Sequence, residues 1–319
     1  MFYYTLDSLP PLYDKATLDA LTGGESSDDT ITTTRPEPRG NGFVHRAQKE
    51  IAFLQRLHGV IREEHRGDTL TKHLQSFGDN DATPPMRSWK TVRPSEINSD
   101  QVLDSMDLAQ FVGDISVSWE VEIPINEYST VSQNAFQALL PGLARFMSTT
   151  WRLEETRHAA LLGTVIQKLT GKTGKAHSNN PNRVAQVKSD RLAALRHLRL
   201  RMTTEWAASS VYAMFAAHTT GPLHEAFRNL MGDEVKHLAI FSGAYVFFSG
   251  NHPWLRFAEM MIDVTTLARY HIAQRTEGKH IGDPLSLFHL AAAHFISEYY
   301  FRQWLGSLPP DEIRAVFDQ

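Results

Sequence analysis

The chain has 319 residues, 42% of them hydrophobic, which is ample for a buried core, and its 32 basic against 36 acidic residues leave a net charge of −4 that gives no general drive toward nucleic acid or an anionic membrane. It contains no cysteine, so disulfides, cysteine-held iron–sulfur clusters, thiolate zinc sites and thiol nucleophiles are excluded, and any metal must be held by oxygen and nitrogen. The longest apolar runs, ASSVYAMFAA and LAIFSGAYVFF, fall short of the roughly 20 residues needed to cross a bilayer, and the N-terminus lacks the basic start and apolar centre of a secretory signal; the expectation is a soluble, cytoplasmic protein.

In chain order, residues 22–42 are polar and rich in Thr, Gly and Pro and read as a linker, which divides the chain into an N-terminal arm, 1–42, and a domain, 43–319. From Phe43 a helical period sets in, with Ile51, Leu54, Leu57 and Ile61 assigned to one face. DNDATPPMRSWKTVRPSE breaks it. A second, mainly helical run extends from about Asn98 to Ala138 and stops at Pro141-Gly142. The next helix carries LARFMSTTWRLEETRHAALLGTVIQKL and closes at Gly171. Further helices are predicted from about Val184 to Thr219, from Leu223 to Phe248 after Gly221-Pro222, and from Trp254 to Gln274 after Pro253, with one or two more in SLFHLAAAHFISEYYFRQWL. No segment alternates with period two and no repeat of fixed length is present, so the fold class is all-α.

Glu-x-x-His occurs three times: Glu155 with His158, Glu234 with His237, and Glu277 with His280. The third is interrupted by Gly278 and runs into IGDP, a turn signature, and reads as a chance match. The first two lie in apolar-periodic sequence, each with an acid directly before the Glu, Glu154 and Asp233. Residues three apart on a helix differ by about 60° around its axis, so each pair projects the same way and can grip one metal. The preceding acids sit four before their His on the same side, which leaves open which acid ligates; the i, i+3 pairs are preferred.

Four-helix carboxylate proteins that bind two metals add one Glu from each of two further helices to two such pairs. Glu205 meets that requirement: it is the one charged residue between Thr203 and Ala217, where an unpaired carboxylate would be costly. Glu120 and Glu122 compete for the other place. They differ by about 200° in projection, so one alone can face inward; Glu120 shares a side with Val117 and Ile123 and is preferred.

These residues resemble the soluble acyl-[acyl carrier protein] desaturases of the ferritin-like di-iron superfamily. The resemblance runs from about Trp89 to His271 and rests on Val112-Gly113-Asp114 leading to Glu120-Val121-Glu122-Ile123-Pro124, W-x-x-E-E-x-R-H at 151–158, Glu205, DEVKH at 233–237 and FAEMM at 257–261. Its Glu-to-Pro spacing favours Glu120. It implies a ferritin-like four-helix bundle core with additional flanking helices, two iron ions held by Glu120, Glu155, His158, Glu205, Glu234 and His237, dioxygen as co-substrate and an external reductant such as ferredoxin. It further implies a homodimer acting on acyl chains carried by acyl carrier protein in fatty acid metabolism, Asp233 as an acid supporting a ligand histidine, and Trp89 as an electron relay. One departure is Ala208, where the family usually has a threonine three residues after the third glutamate. The basic stretch 183–201, including Arg191, Arg196 and Arg199, offers a docking face for an acidic carrier. The alternatives are a di-iron monooxygenase, hydroxylating or N-oxidising its substrate, and a non-enzymatic iron-binding protein of the ferritin kind.

Overall fold

The structure, a computed structural model, describes residues 39–172, 190–249 and 284–318. The chain divides into Met1–His45 and Arg46–Gln319; of the first unit only residues 39–45 are described, and the helical bundle belongs to the second. Among the described residues the bundle has no strands, its one extended pairing being an isolated bridge between Val102 and Thr219.

The helices are α1 (Arg39–Glu64), α2 (Gly67–Asp79), α3 (Leu108–Glu122), α4 (Ile125–Phe136), α5 (Pro141–Phe146), α6 (Arg152–Thr170), α7 (Arg191–Ala217), α8 (Gly221–Ser249), α9 (Pro284–Ser307) and α10 (Pro310–Phe317). Short 3₁₀ turns, Pro94–Glu96 and Ser99–Gln101, precede α3. The long run predicted over 98–138 is thus three pieces. Asp107 starts α3 by capping the amides of Ala109 and Gln110, and Pro124, which has no amide hydrogen to give, divides α3 from α4. Gly171 ends α6 at φ 70, the left-handed conformation glycine adopts without strain. No described helix is long and apolar enough to cross a membrane.

α7 and α8 form the most extensive helix pair, turning back on each other through His218–Thr220, and α3 packs on α6 beside them. Phe53, Leu57 and Ile61 of α1, Leu70 of α2, Phe111 and Ile115 of α3, Leu162 and Val165 of α6, and Phe215, Phe227 and Leu230 of the α7–α8 pair share one core. Ile51, expected on that face, is 55% exposed; the buried side of α1 is the one carrying Phe53, Leu57, Val60 and Ile61. A second cluster joins Phe136, Phe146, Trp151 and Phe241. Between α5 and α6 the chain makes a π turn, Met147–Trp151, whose extra residue swings Trp151 fully inside.

Candidate metal centre

Four helices deliver six side chains to one buried place: Glu122 at the end of α3, Glu155 and His158 from α6, Glu205 from α7, Glu234 and His237 from α8. None is more than 6% exposed. Ligand atoms of Glu122, Glu155, His158 and Glu234 lie within 4.8 Å of one another, and so do those of Glu155, Glu205, Glu234 and His237. Glu155 and Glu234 belong to both groups. Each group can surround one ion, with two carboxylates available to bridge the pair.

Hydrogen bonds outside the cluster fix the tautomers. His158 Nε2 lies 3.1 Å from Asp233 Oδ2, and His237 Nε2 lies 2.9 Å from Glu154 Oε2. An ionised carboxylate only accepts, so in both rings Nε2 carries the hydrogen and Nδ1 points into the cluster. The two acids are exchanged between motifs: the acid before Glu155 orients the histidine of the second motif, and the acid before Glu234 orients that of the first. Burial raises the Glu154 carboxyl, but the His237 bond and the Lys236 charge outweigh it and hold its pKa at about 2.

An extended strap running toward α3 seals this outer layer. Arg87 N donates to Glu154 Oε1 at 2.7 Å, Lys236 Nζ donates to Pro85 O and to Glu154, Arg157 donates to Arg87 O and to Asp233 Oδ2, and Thr150 Oγ1 donates to Pro84 O. Trp89 Nε1 donates to Asp233 Oδ2 at 2.9 Å, its ring lies 12° from parallel to that of His158, and the Arg157 guanidinium sits 3.7 Å above it. Trp89, Asp233 and His158 form a continuous contact path from a half-buried indole to the cluster.

The residues fit metal ions by their unsatisfied atoms. His158 Nδ1, His237 Nδ1, Glu155 Oε1 and both oxygens of Glu234 are buried without a hydrogen-bond partner. His158 Nδ1 is 3.1 Å from Glu234 Oε1 and His237 Nδ1 is 3.1 Å from Glu155 Oε1, so the atoms converge, yet these approaches lack hydrogen-bonding directions. Convergent lone pairs of nitrogen and oxygen could hold a metal ion. Without one, protons take that part. Burial, then the neighbouring Glu155 and Glu234 charges, raise Glu122 well above the usual carboxylate range, and burial with Glu234 does the same to Glu205. The histidines are pushed down by burial but further up by the surrounding acids, Glu155 and Asp233 at His158 and Glu154 at His237.

Glu122, not Glu120, occupies the α3 position. The buried residues of α3 are Phe111, Ile115 and Glu122; Glu122 follows Ile115 by seven residues, a return to within about 20° of the same direction, whereas Glu120 is turned about 160° away and is half-buried. Arg191 and Arg196 are exposed, as a docking face requires, but Arg199 is 5% exposed and does not belong to it. Arg183 and Lys188, the stretches 22–38 and 254–274 with FAEMM, and the pair Glu277–His280 lie outside the described residues.

Ala208 is partly buried, and Ser209 Oγ beside it turns back to Trp206 O at 2.9 Å rather than toward the ligands. Two other hydroxyls reach them. Tyr212 OH donates to Glu122 Oε1 at 2.7 Å and Thr204 Oγ1 lies 3.4 Å from Glu205 Oε1. No motif marks Tyr212 in the sequence, although it follows Glu205 by two helical turns and so shares its face. Comparison of the chain with family models, with curated proteins and with solved structures returned no match.

Proposed function

We propose that this chain is an oxygen-dependent di-iron oxidoreductase with a ferritin-like core, and that it desaturates an acyl chain presented by acyl carrier protein. The observation that carries the reading is the pair of overlapping ligand groups sharing Glu155 and Glu234, with both histidines held as Nε2–H tautomers. Glu122 and His158 would complete one iron site, Glu205 and His237 the other. Four carboxylates and two imidazoles suit iron(II), and two such ions when bound supply the activation of dioxygen that unactivated C–H bonds demand. The balance of the reaction is two hydrogens lost from adjacent carbons, two electrons taken from an external donor such as a ferredoxin and two protons from solvent, with dioxygen reduced to two waters.

The chain's own groups have defined parts. Asp233 and Glu154 keep the outer histidine protons and leave Nδ1 free to ligate. Tyr212 holds one oxygen of Glu122 and would leave the other for a metal. Trp89, in contact with Asp233, is placed to pass electrons inward from the half-buried side, and the strap over α6 and α8 keeps water off the buried charges. Exposed Arg191 and Arg196 are the described remnant of the basic face for an acidic carrier.

The test is product mass after iron loading, reduction and exposure to oxygen with carrier-bound acyl chains. Loss of two hydrogens supports desaturation; gain of one oxygen replaces it with the hydroxylase reading; bound iron with no oxygen consumption on any substrate rejects an oxidative role.

A further inference from the structure

Arg201 lies on α7, one turn before the ligand Glu205, and is 7% exposed. Its guanidinium carbon is 5.5 Å from the ring centre of Tyr128 and 5.5 Å from that of Trp151. Arg201 Nε is buried without a hydrogen-bond partner, and so is the indole nitrogen of Trp151, a residue 1% exposed. Three other cations of the bundle are matched with acids: Arg157 with Asp233, Lys236 with Glu154, Arg228 with Glu64. None of the ion pairs among the described residues involves Arg201, and Glu205, the acid one turn on, faces His237 at 3.4 Å. A buried charge without an acid is costly, so Arg201 adds little to stability beyond its contacts with the two rings.

Position gives the unmatched donors a meaning. Exposure falls from 38% at Tyr128 through 7% at Arg201 and 1% at Trp151 to 0% at His237, and the Trp151 ring centre is 6.3 Å from that of His237. Arg201 therefore stands between solvent and the metal ligands, in contact with both rings and with its Nε unpaired.

We propose that Arg201, with the Trp151 indole nitrogen, anchors the oxyanion headgroup, carboxylate or phosphate, of the molecule oxidised at the cluster. A guanidinium fork matches either oxyanion in the plane of its N–H groups. Arg201 and Glu205 are about one helical turn apart on α7, and the Trp151 ring centre is 6.3 Å from that of His237, so the atoms following the headgroup would lie beside the metal ligands. The catalytic part of this assignment rests on the oxidative reading of the cluster; the binding does not. The headgroup has two chemical sources, the carboxylate of a free acid or the phosphate of a carrier's prosthetic arm.

The experiment is calorimetric titration of the full-length chain, with and without bound metal, using dodecanoate, dodecanol, inorganic phosphate and 4′-phosphopantetheine as probes. Wild type should bind dodecanoate or phosphopantetheine at least tenfold more tightly than the uncharged dodecanol, in the absence of metal too, and Arg201→Met should abolish that preference. Preference for dodecanoate identifies a free acid, preference for the phosphorylated arm a carrier. Arg201→Met should leave the melting temperature unchanged or raised and the metal content unaltered. Charged probes that bind no better than dodecanol, a preference that survives Arg201→Met, or a variant that melts well below wild type would each overturn the assignment. Anion binding that persists in a chain that takes up no metal would sink the oxidative reading alone.

Discussion

Removing the Tyr212 hydroxyl separates the two halves of the cluster. Tyr212→Phe keeps the buried ring, packed 6.3 Å from the His158 imidazole, and deletes the 2.7 Å bond to Glu122. Without metal, Glu122 holds its proton because burial and the neighbouring acids raise it, so the lost bond joins neutral groups and costs about 1 kcal/mol. With metal, Glu122 is ionised and the same bond is charge-assisted, worth about 1.5 to 3 kcal/mol. The difference, roughly 0.5 to 2 kcal/mol, appears as lost affinity for the ion held by Glu122, Glu155, His158 and Glu234, about two- to thirtyfold. The ion of the Glu205 and His237 group should be held as before. A chelator-competition titration resolving two binding steps makes the measurement. Equal weakening of both steps, or no weakening of either, would refute the role given to Tyr212.

Other perturbations address the layers around the ligands. Asp233→Asn should weaken the His158 half and Glu154→Gln the His237 half, each by about 10- to 100-fold in metal affinity, in the same competition assay. Gly232→Ala places a methyl group where the Arg87 guanidinium lies, so the flexible end of Arg87 should swing aside and give up its Glu64 ion pair at a cost of about 1 kcal/mol or less in denaturant unfolding, with the metal affinity of both halves unchanged. His65 is buried, and that burial lowers its pKa from 6.5 to about 4. The unfolded chain then takes up the proton first as pH falls, so stability is full above 6.5, declines between 6.5 and 4 and is level below. Between pH 7 and 5, His65→Gln should reduce the acid loss of stability by about 2 kcal/mol, read from urea midpoints in metal-free protein.

What sequence discloses about this site depends on how local each constraint is. Glu155 with His158 and Glu234 with His237 are set by a spacing within one helical turn, and Glu205 by standing alone in apolar sequence. Glu122 depends on the phase of α3, and the apolar neighbours Val117 and Ile123 misplace it because that helix is half-buried on several sides; the stripe from Phe111 through Ile115 carries the phase correctly. The exchange of Asp233 and Glu154 between motifs is a tertiary fact, since each acid lies closest in sequence to the histidine it does not orient. The strap, with no periodicity to read, holds its partners through backbone groups. Arg199 and Arg201 sit in a basic run that reads as an exposed docking face, and packing alone reveals that both are buried.

The central claim, a two-metal centre assembled from four helices, is tested most directly by elemental analysis after iron reconstitution of wild type, Glu120→Ala and Glu122→Ala. Two iron ions per chain are expected in wild type and Glu120→Ala, with loss of the ion from the His158 half in Glu122→Ala. One ion or none in wild type, or full loading of Glu122→Ala with loss in Glu120→Ala, would contradict the claim.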